Sequence, residues 1–161
     1  MNRPAQLLIL VGTMTQTAQH VAQAIEMGCA DLISPIEVRL MDELDVRIFD
    51  GDALYLLCTS TTGSGDVPDN ARALYESLGN EPRYLGHVRY GVIALGDSCY
   101  PQTFCNGGLR FDERLADLGA IRIGDLLQHD ASDGSEAELA GVVWCREWLA
   151  QALHTSKGAK A

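Results

Sequence analysis

Five strand-like apolar segments alternate with helical patterns along this chain of 161 residues. The predicted strands cover residues 6–11, 35–40, 53–59, 88–95 and 120–126. Apolar residues at helical spacing predict helices over residues 15–27, after the turn at 68–70, from about residue 103, and over residues 135–153. This alternation favours an α/β fold in which helices cover both faces of a mostly parallel sheet.

The predicted order of the strands follows from how apolar each segment is. The first, third and fourth segments are almost continuously apolar, which is typical of interior parallel strands. Glu37 and Arg39 interrupt the second segment and Arg122 interrupts the fifth, so both have the partly exposed face of an edge strand. We therefore expect a doubly wound, five-stranded sheet of order 2-1-3-4-5. Its ligand crevice should lie between strands one and three, where the order reverses.

Each helical pattern has an apolar stripe that we expect to face the sheet. In the second helix, Asp69 or Asn70 is the predicted N-terminal cap. The stripe of the third helix is predicted to be Phe104, Gly108, Phe111, Leu115 and Leu118. The stripe of the last helix is predicted to be Leu139, Val142, Cys145 and Leu149.

The loops after strands one, three and four should meet at one edge of such a sheet. The first loop places threonines at positions 13, 15 and 17 and opens a helix, whose free N–H groups suit a phosphate. It contains no Lys or Arg and lacks the Walker pattern, which argues against ATP hydrolysis. The second loop has Gly63 and Gly65, which allow close approach of the backbone to a ligand. The third loop carries Tyr100, whose ring offers a flat face to a flat ligand.

Each loop taken alone has an ordinary alternative, namely threonine capping, a surface turn or a packed tyrosine. The acidic run over residues 130–136 is interpreted as a solvated loop, with a rim for partner docking as the alternative. Cys99 and Cys105 flank the third loop, and packing is favoured over redox sensitivity for both.

Charge and composition exclude several classes of function. The formal net charge of −10 disfavours nucleic acids and anionic membranes, and it permits steering toward a basic protein partner. An odd number of cysteines without CxxC spacing, and scattered histidines, argue against a disulfide framework or a metal site. No apolar run is as long as a membrane helix and no signal peptide is recognisable, so we expect a cytoplasmic protein.

Two motifs, STTGSGDVPDN at residues 60–70 and GDSxYxxxFC at residues 96–105, resemble the FMN loops of flavodoxins. The likeness extends over about residues 5–153. It is greatest to short-chain MioC-type flavodoxins and to the flavodoxin domains of sulfite reductase and cytochrome P450 reductase. The resemblance implies a flavodoxin-like fold with FMN as cofactor. It also implies a single FMN-binding domain over residues 1–155, followed by a loose tail at 156–161.

The resemblance also implies the residues that bind FMN. The phosphate loop would be Thr13, Met14, Thr15, Gln16 and Thr17, with the threonine hydroxyls on the phosphate. The second loop would border the isoalloxazine ring through Ser60, Thr61, Thr62 and Gly63, with the Gly63 carbonyl turning toward protonated flavin N5. The third loop would cover the pyrimidine side through Gly96, Asp97 and the stacking Tyr100, supported by Phe104 and Cys105.

The function implied by the resemblance is one-electron transfer between a reductase and an acceptor enzyme, using the semiquinone and hydroquinone states of FMN. Asp97, Asp66 and Asp69 would disfavour the anionic hydroquinone and so lower its potential. The expected protein is an electron carrier rather than a stand-alone enzyme. We expect a monomer whose partners, a flavodoxin reductase and an acceptor, present basic faces.

Two positions depart from the family pattern. Gln16 stands where the family usually has Gly, and Thr62 stands where several relatives have an aromatic residue. The latter change would reduce affinity by roughly 1–3 kcal/mol if that contact resembles base–aromatic stacking. These departures leave open an interaction module with weak or lost FMN binding, and an FMN-dependent NAD(P)H quinone reductase is a further alternative. A phosphoacceptor receiver domain is disfavoured because residues 57–59 read Leu-Cys-Thr where that class needs an Asp.

Overall fold

A computed structural model describes residues 6–13, 16–42, 44–61, 66–81 and 83–158, with side chains to residue 153. The strands are β1 Leu7–Gly12, β2 Ile36–Leu40, β3 Leu54–Thr59, β4 Arg89–Gly96, β5 Ile121–Arg122 and β6 Leu127–Asp130. The helices are α1 Thr17–Gly28, α2 Arg72–Asn80, α3 Asn106–Asp117 and α4 Ala137–Gly158. Short 3₁₀ turns lie at Val46–Asp50 and Asp69–Ala71. None of the described helices is both long and apolar enough to cross a bilayer.

The strands form a parallel sheet of order β2-β1-β3-β4-β5, which confirms the predicted topology. Gly12 at the end of β1 lies opposite Thr59 of β3, and Thr59 lies opposite Ala94 of β4. The carboxyl ends of these three strands therefore lie at one edge of the sheet, where the chain turns into the three predicted loops.

The predicted bounds of the fifth strand, residues 120–126, are wrong, because the structure has two short strands there instead of one. β5 pairs with the start of β4, whereas β6, at Leu127–Asp130, pairs with the last four residues of β4. Gly124, with a φ of 66°, interrupts the extended chain between them. Three of the four residues of β6 are polar, so the apolar pattern did not indicate a strand there. The split brings Asp130 opposite Gly96, at the same edge as the three loops.

Helices pack on both faces of the sheet. On one face α1 and α4 bury Val21, Ile25 and Leu149, and on the other α2 and α3 bury Leu74 and Phe111. The long apolar runs of β1, β3 and β4 are buried between these layers, which is why those segments read as interior strands.

Four details of the predicted helices need correction. Leu139 is 62% exposed rather than inward, because it lies six residues before Cys145 and so about 120° around the helix from it. α3 begins at Asn106, not near residue 103, because Cys105 just before it is left-handed, with a φ of 60°. Asp69 and Asn70 belong to the 3₁₀ turn and do not cap α2. Finally, α4 continues to Gly158, three residues into the segment expected to be a loose tail.

Candidate functional site

Hydrogen bonds at the carboxyl edge of the sheet join the second loop to the first loop and to the two elements that flank the third loop. Ser60 N donates to Gly12 O at 2.9 Å, which links the second loop to the first. The Thr61 hydroxyl donates to Leu95 O at 3.0 Å and accepts from Gly107 N at 2.9 Å, which links the second loop to β4 and to the first turn of α3. The convergence expected from the topology is therefore present.

The first loop leads into the N-terminus of α1 through Thr13 and Gln16. Gln16 N donates to Thr13 Oγ1 at 2.8 Å, and His20 N makes the first helical bond, to Gln16 O at 2.9 Å. The N–H groups of a helix's first turn have no partner inside the helix, and the positive end of the dipole is there. Thr17 occupies this turn and is exposed, while Met14 and Thr15 lie outside the described residues. The end of α1 thus has the donors that a phosphate requires.

Gln16 has a φ of 73°, in the left-handed region that favours glycine. Its side chain makes no capping hydrogen bond to α1. At residue 16 the loop therefore follows a backbone path that glycine adopts without strain, which agrees with the Gly that the resemblance leads us to expect there.

Asn70, at the end of the second loop, holds the first loop through its carboxamide. Its Oδ1 accepts from Thr13 N at 2.8 Å, and its Nδ2 donates to Val11 O at 3.2 Å and to Asp42 Oδ1 at 3.1 Å. The sequence predicts Asp69 or Asn70 as a helix cap, with no part in the site. The carboxamide instead aligns the start of the predicted phosphate loop.

In the second loop, Ser60 and Thr61 lie at the end of β3, and Thr62 and Gly63 lie outside the described residues. The approach of α3 to this loop is close. A Cβ on Gly107 would collide with Ser60 O, so the first turn of α3 can lie against the loop only because residue 107 is glycine. The hydroxyl of Thr61 already donates its proton to Leu95 O, so it serves to position the loop.

The third loop presents Tyr100 with 62% of its surface exposed. The loop is a tight turn, in which Tyr100 N donates to Asp97 O and Cys99 N donates to Asp97 Oδ1, both at 2.9 Å. A tyrosine so exposed, on a turn with this many hydrogen bonds, has an open face for a planar ligand. Gly96 precedes the turn and admits the backbone of Cys105, which a Cβ at residue 96 would block.

Phe104 and Cys105 end the third loop immediately before α3, rather than lying on the helix. Phe104 is half-buried and packs on the core beside α3. Cys105 is buried, and its Sγ donates to Ala94 O at 3.2 Å. Burial raises the pKa of the Cys105 thiol to about 12, which favours the packing role over redox sensitivity.

Arginines pair with two of the carboxylates expected to act on a reduced flavin. Asp66 lies 3.5 Å from Arg110 Nη1, and Asp69 lies 3.8 Å from Arg72 Nη2. All four side chains are substantially exposed, so solvent also screens their charges. Of the three predicted carboxylates, Asp97 is the one fixed within the third loop itself.

The described residues contain no group of three or more His, Cys, Asp or Glu side chains arranged to hold a metal ion. What the edge of the sheet offers instead is a helix N-terminus with neutral hydroxyls, an exposed aromatic ring, and closely packed loop backbone between them. These groups match an organic ligand that has a phosphate at one end and a flat ring at the other.

Comparison with known proteins agrees with this geometry. The Flavodoxin family model matches residues 9–144. Flavodoxin YqcA of Pectobacterium carotovorum subsp. carotovorum is 40% identical over 148 residues, which cover 89% of this chain and 95% of that protein. The sulfite reductase [NADPH] flavoprotein alpha-component of Vibrio cholerae is 34% identical over 160 residues, covering 97% of this chain and 25% of that larger protein.

Among solved structures, a cysteine-to-alanine mutant of flavodoxin from Pseudomonas aeruginosa aligns with a TM-score of 0.76 and 31% identity. The alignment covers 91% of this chain and 98% of that one. The strand order, the three joined loops and these matches over most of the sequence lead to one conclusion: the chain belongs to the flavodoxin family, whose members bind FMN and carry electrons.

Proposed function

We propose that this protein is a one-electron carrier whose FMN lies across the three loops at the carboxyl edge of β1, β3 and β4. The observation that carries the proposal is the exposed ring of Tyr100, held on a hydrogen-bonded turn at the edge where α1 begins. When bound, FMN supplies the redox chemistry, because its ring accepts and releases electrons singly. The protein supplies binding, orientation and the local electrostatic field.

The donors present at the edge of the sheet suit FMN. Neutral hydroxyls and helix N–H groups bind a phosphate dianion without a side-chain cation. We assign the phosphate to Thr13, Met14, Thr15, Gln16 and Thr17. In support of this, Thr13 Oγ1 accepts from Gln16 N and so leaves the hydroxyl proton of Thr13 for the ligand.

We assign the ring to the second and third loops. Ser60, Thr61, Thr62 and Gly63 would border one edge, and Gly96, Asp97 and Tyr100 would cover the pyrimidine side. Phe104 and Cys105 support the third loop from the core. The turn holds the Asp97 carboxylate within the third loop. Beside a bound ring, this carboxylate would oppose the addition of further negative charge.

The proposed partners are a flavodoxin reductase and an acceptor enzyme with basic docking faces. The net charge of −10 supports steering toward such faces, and it also opposes self-association, which favours a monomer. We further propose that residues 1–155 act as one FMN-binding domain in the cytoplasm, and that the protein has no substrate reaction of its own.

The test is an absorption spectrum of the purified protein, followed by an assay of NAD(P)H oxidation. We expect a bound flavin band, or its appearance on adding FMN. We also expect no NAD(P)H oxidation until a flavodoxin reductase is supplied. Failure to bind FMN would overturn the proposal in favour of an interaction module. NAD(P)H oxidation by the protein alone in the presence of a quinone would overturn it in favour of a reductase.

A further inference from the structure

Asp130 lies where the last short strand meets the third loop. It ends β6 and lies opposite Gly96, the last residue of β4. The next residue, Ala131, donates its N–H to Gly96 O at 2.8 Å. The turn after β6 is thereby held against the start of the loop that carries Tyr100.

One carboxylate oxygen of Asp130 joins the two segments. Asp130 Oδ1 accepts from Ser98 N at 2.9 Å, from Ser132 N at 3.0 Å and from Ser132 Oγ at 2.8 Å. The hydroxyls of Ser98 and Ser132 are also 2.8 Å apart. The hydrogen bonds from Ser98 and Ser132 hold the pKa of this carboxyl far below its usual range, so it accepts as a charged group at neutral pH. Residues 130–132, the start of the run interpreted from sequence as a solvated loop, thus support the third loop.

Ser98 is the second residue of the turn that ends in Tyr100. Asp97 fixes this turn from within, through Cys99 N and Tyr100 N, and Asp130 fixes it from outside, through Ser98 N. We propose that Asp130 is a positioning residue for FMN, which holds the third loop in the conformation that presents the Tyr100 ring to the flavin. This inference rests on the proposed function.

Charge and position predict opposite effects for Asp130. A carboxylate near an anionic cofactor repels it, so removing the charge alone would tighten FMN binding. Removing the hydrogen bonds that hold the loop would weaken binding instead. The sign of the change in affinity therefore separates the two roles.

The experiment is a fluorescence titration of FMN into apoprotein, for wild type, Asp130→Ala, Asp133→Ala, Tyr100→Ala and the double variant Asp130→Ala/Tyr100→Ala. Asp133 is the matched control, because it lies in the same acidic turn and its Oδ1 accepts from Ser135 N at 2.7 Å and Ser135 Oγ at 2.6 Å. We expect Asp130→Ala to raise the Kd roughly tenfold and Asp133→Ala to leave it unchanged or slightly lower. In the double variant, Asp130→Ala should raise the Kd little beyond that of Tyr100→Ala, because Asp130 acts on FMN by positioning the ring of Tyr100.

Asp130→Asn keeps an oxygen acceptor, so it should rescue part of the affinity, and it replaces the alanine variant if that variant does not fold. The inference is overturned if Asp130→Ala binds FMN as tightly as wild type, if Asp133→Ala is equally impaired, or if the losses at Asp130 and Tyr100 simply add. A wild-type protein that binds no FMN would instead overturn the proposed function. If the wild-type protein binds FMN and Tyr100→Ala weakens that binding, but Asp130→Ala does not, this inference is overturned while the proposed function stands.

Discussion

Among the described residues other than glycine, two have a left-handed backbone, and each lies immediately before a helix that borders the site. Gln16 precedes α1 with a φ of 73°, and Cys105 precedes α3 with a φ of 60°. Such a conformation costs roughly 1–2 kcal/mol in a residue other than glycine. For Cys105, a buried side chain with a hydrogen bond to Ala94 O offsets that cost. Gln16 is exposed and has no such bond to its helix, so its strain has less to offset it.

Replacing Gln16 by Gly should therefore stabilise the protein by about 0.5–1 kcal/mol, since glycine adopts this φ without strain but loses more entropy on folding. Urea unfolding of the apoprotein measures this change. The matched control is Gln23→Gly, an exposed position inside α1, which should lose about 1 kcal/mol. If Gln16→Gly lowered the free energy of unfolding as Gln23→Gly does, the left-handed assignment at residue 16 would be wrong.

Cys99 is the exposed member of the five free cysteines, and its chemistry reports on the third loop. The hydrogen bond and charge of Asp97 raise the pKa of Cys99 above the ordinary 9.0. Because the thiolate is the reactive form, alkylation by iodoacetamide at pH 8 should be slower than for a free cysteine and should rise as pH passes 9. Asp97→Asn should shift this profile to lower pH, and Cys99→Ser should abolish rapid labelling. An unchanged profile in Asp97→Asn would contradict the contact.

At the residue scale, the sequence marked Gln16 as a departure from the family pattern but predicted neither its backbone nor the supports of the loops. The Gly expected at residue 16 left two possibilities open, a left-handed residue or another path of the loop, and the structure has the left-handed residue. Asn70 and Asp130 were assigned to a local cap and a solvated turn, because their partners, Thr13 and Ser98, are 57 and 32 residues away along the chain. Local patterns of polar residues do not show contacts of that separation.

At the scale of elements, α3 packs closely against the second loop. Thr61 joins this loop to Gly107 N, and Gly107 itself allows the contact with Ser60 O. The sequence predicted α3 from its apolar stripe. The start of α3, however, depends on the left-handed Cys105, and its contact with the second loop depends on Gly107. An apolar stripe indicates neither. The order of the strands could likewise be predicted from which strands have an exposed face. The existence of β6 could not, because three of its four residues are polar.

Gly107→Ala should destabilise the protein by roughly 1–3 kcal/mol, although alanine is the better helix former, because the new methyl group would force α3 away from Ser60. Gly79→Ala in α2 is the control, since its methyl group would meet the guanidinium of Arg114, a side-chain end that can shift, whereas Ser60 O belongs to the backbone. The shift would weaken the hydrogen bonds of Arg114 to Tyr75, which offsets the better helix propensity of alanine, so that variant should be about neutral. Thermal and urea unfolding compare the two. Equal stabilisation of both variants would show that α3 does not pack closely on the second loop.

For the molecule as a whole, the sheet order places loops from distant parts of the sequence at one edge. Gly12, Thr59 and Ala94 come into register there, and the second loop bonds through Ser60 and Thr61 to the ends of β1 and β4. This convergence could be predicted from sequence because burial determines which strands are interior, and the switch in strand order then determines the crevice. The acidic charge of the whole chain supports the proposed basic partners without specifying which surface they would contact.

The central claim is that these loops bind FMN and that Tyr100 stacks on its ring. Titration of FMN into the apoprotein, followed by quenching of flavin fluorescence, tests it for wild type and three tyrosine variants. We predict saturable one-to-one binding by wild type, retained in Tyr100→Phe and in Tyr84→Ala, whose tyrosine is 82% exposed elsewhere on the surface. Tyr100→Ala should raise the Kd by roughly fivefold to a hundredfold. Wild-type affinity in Tyr100→Ala, or no binding of FMN by the wild-type protein, would contradict the account.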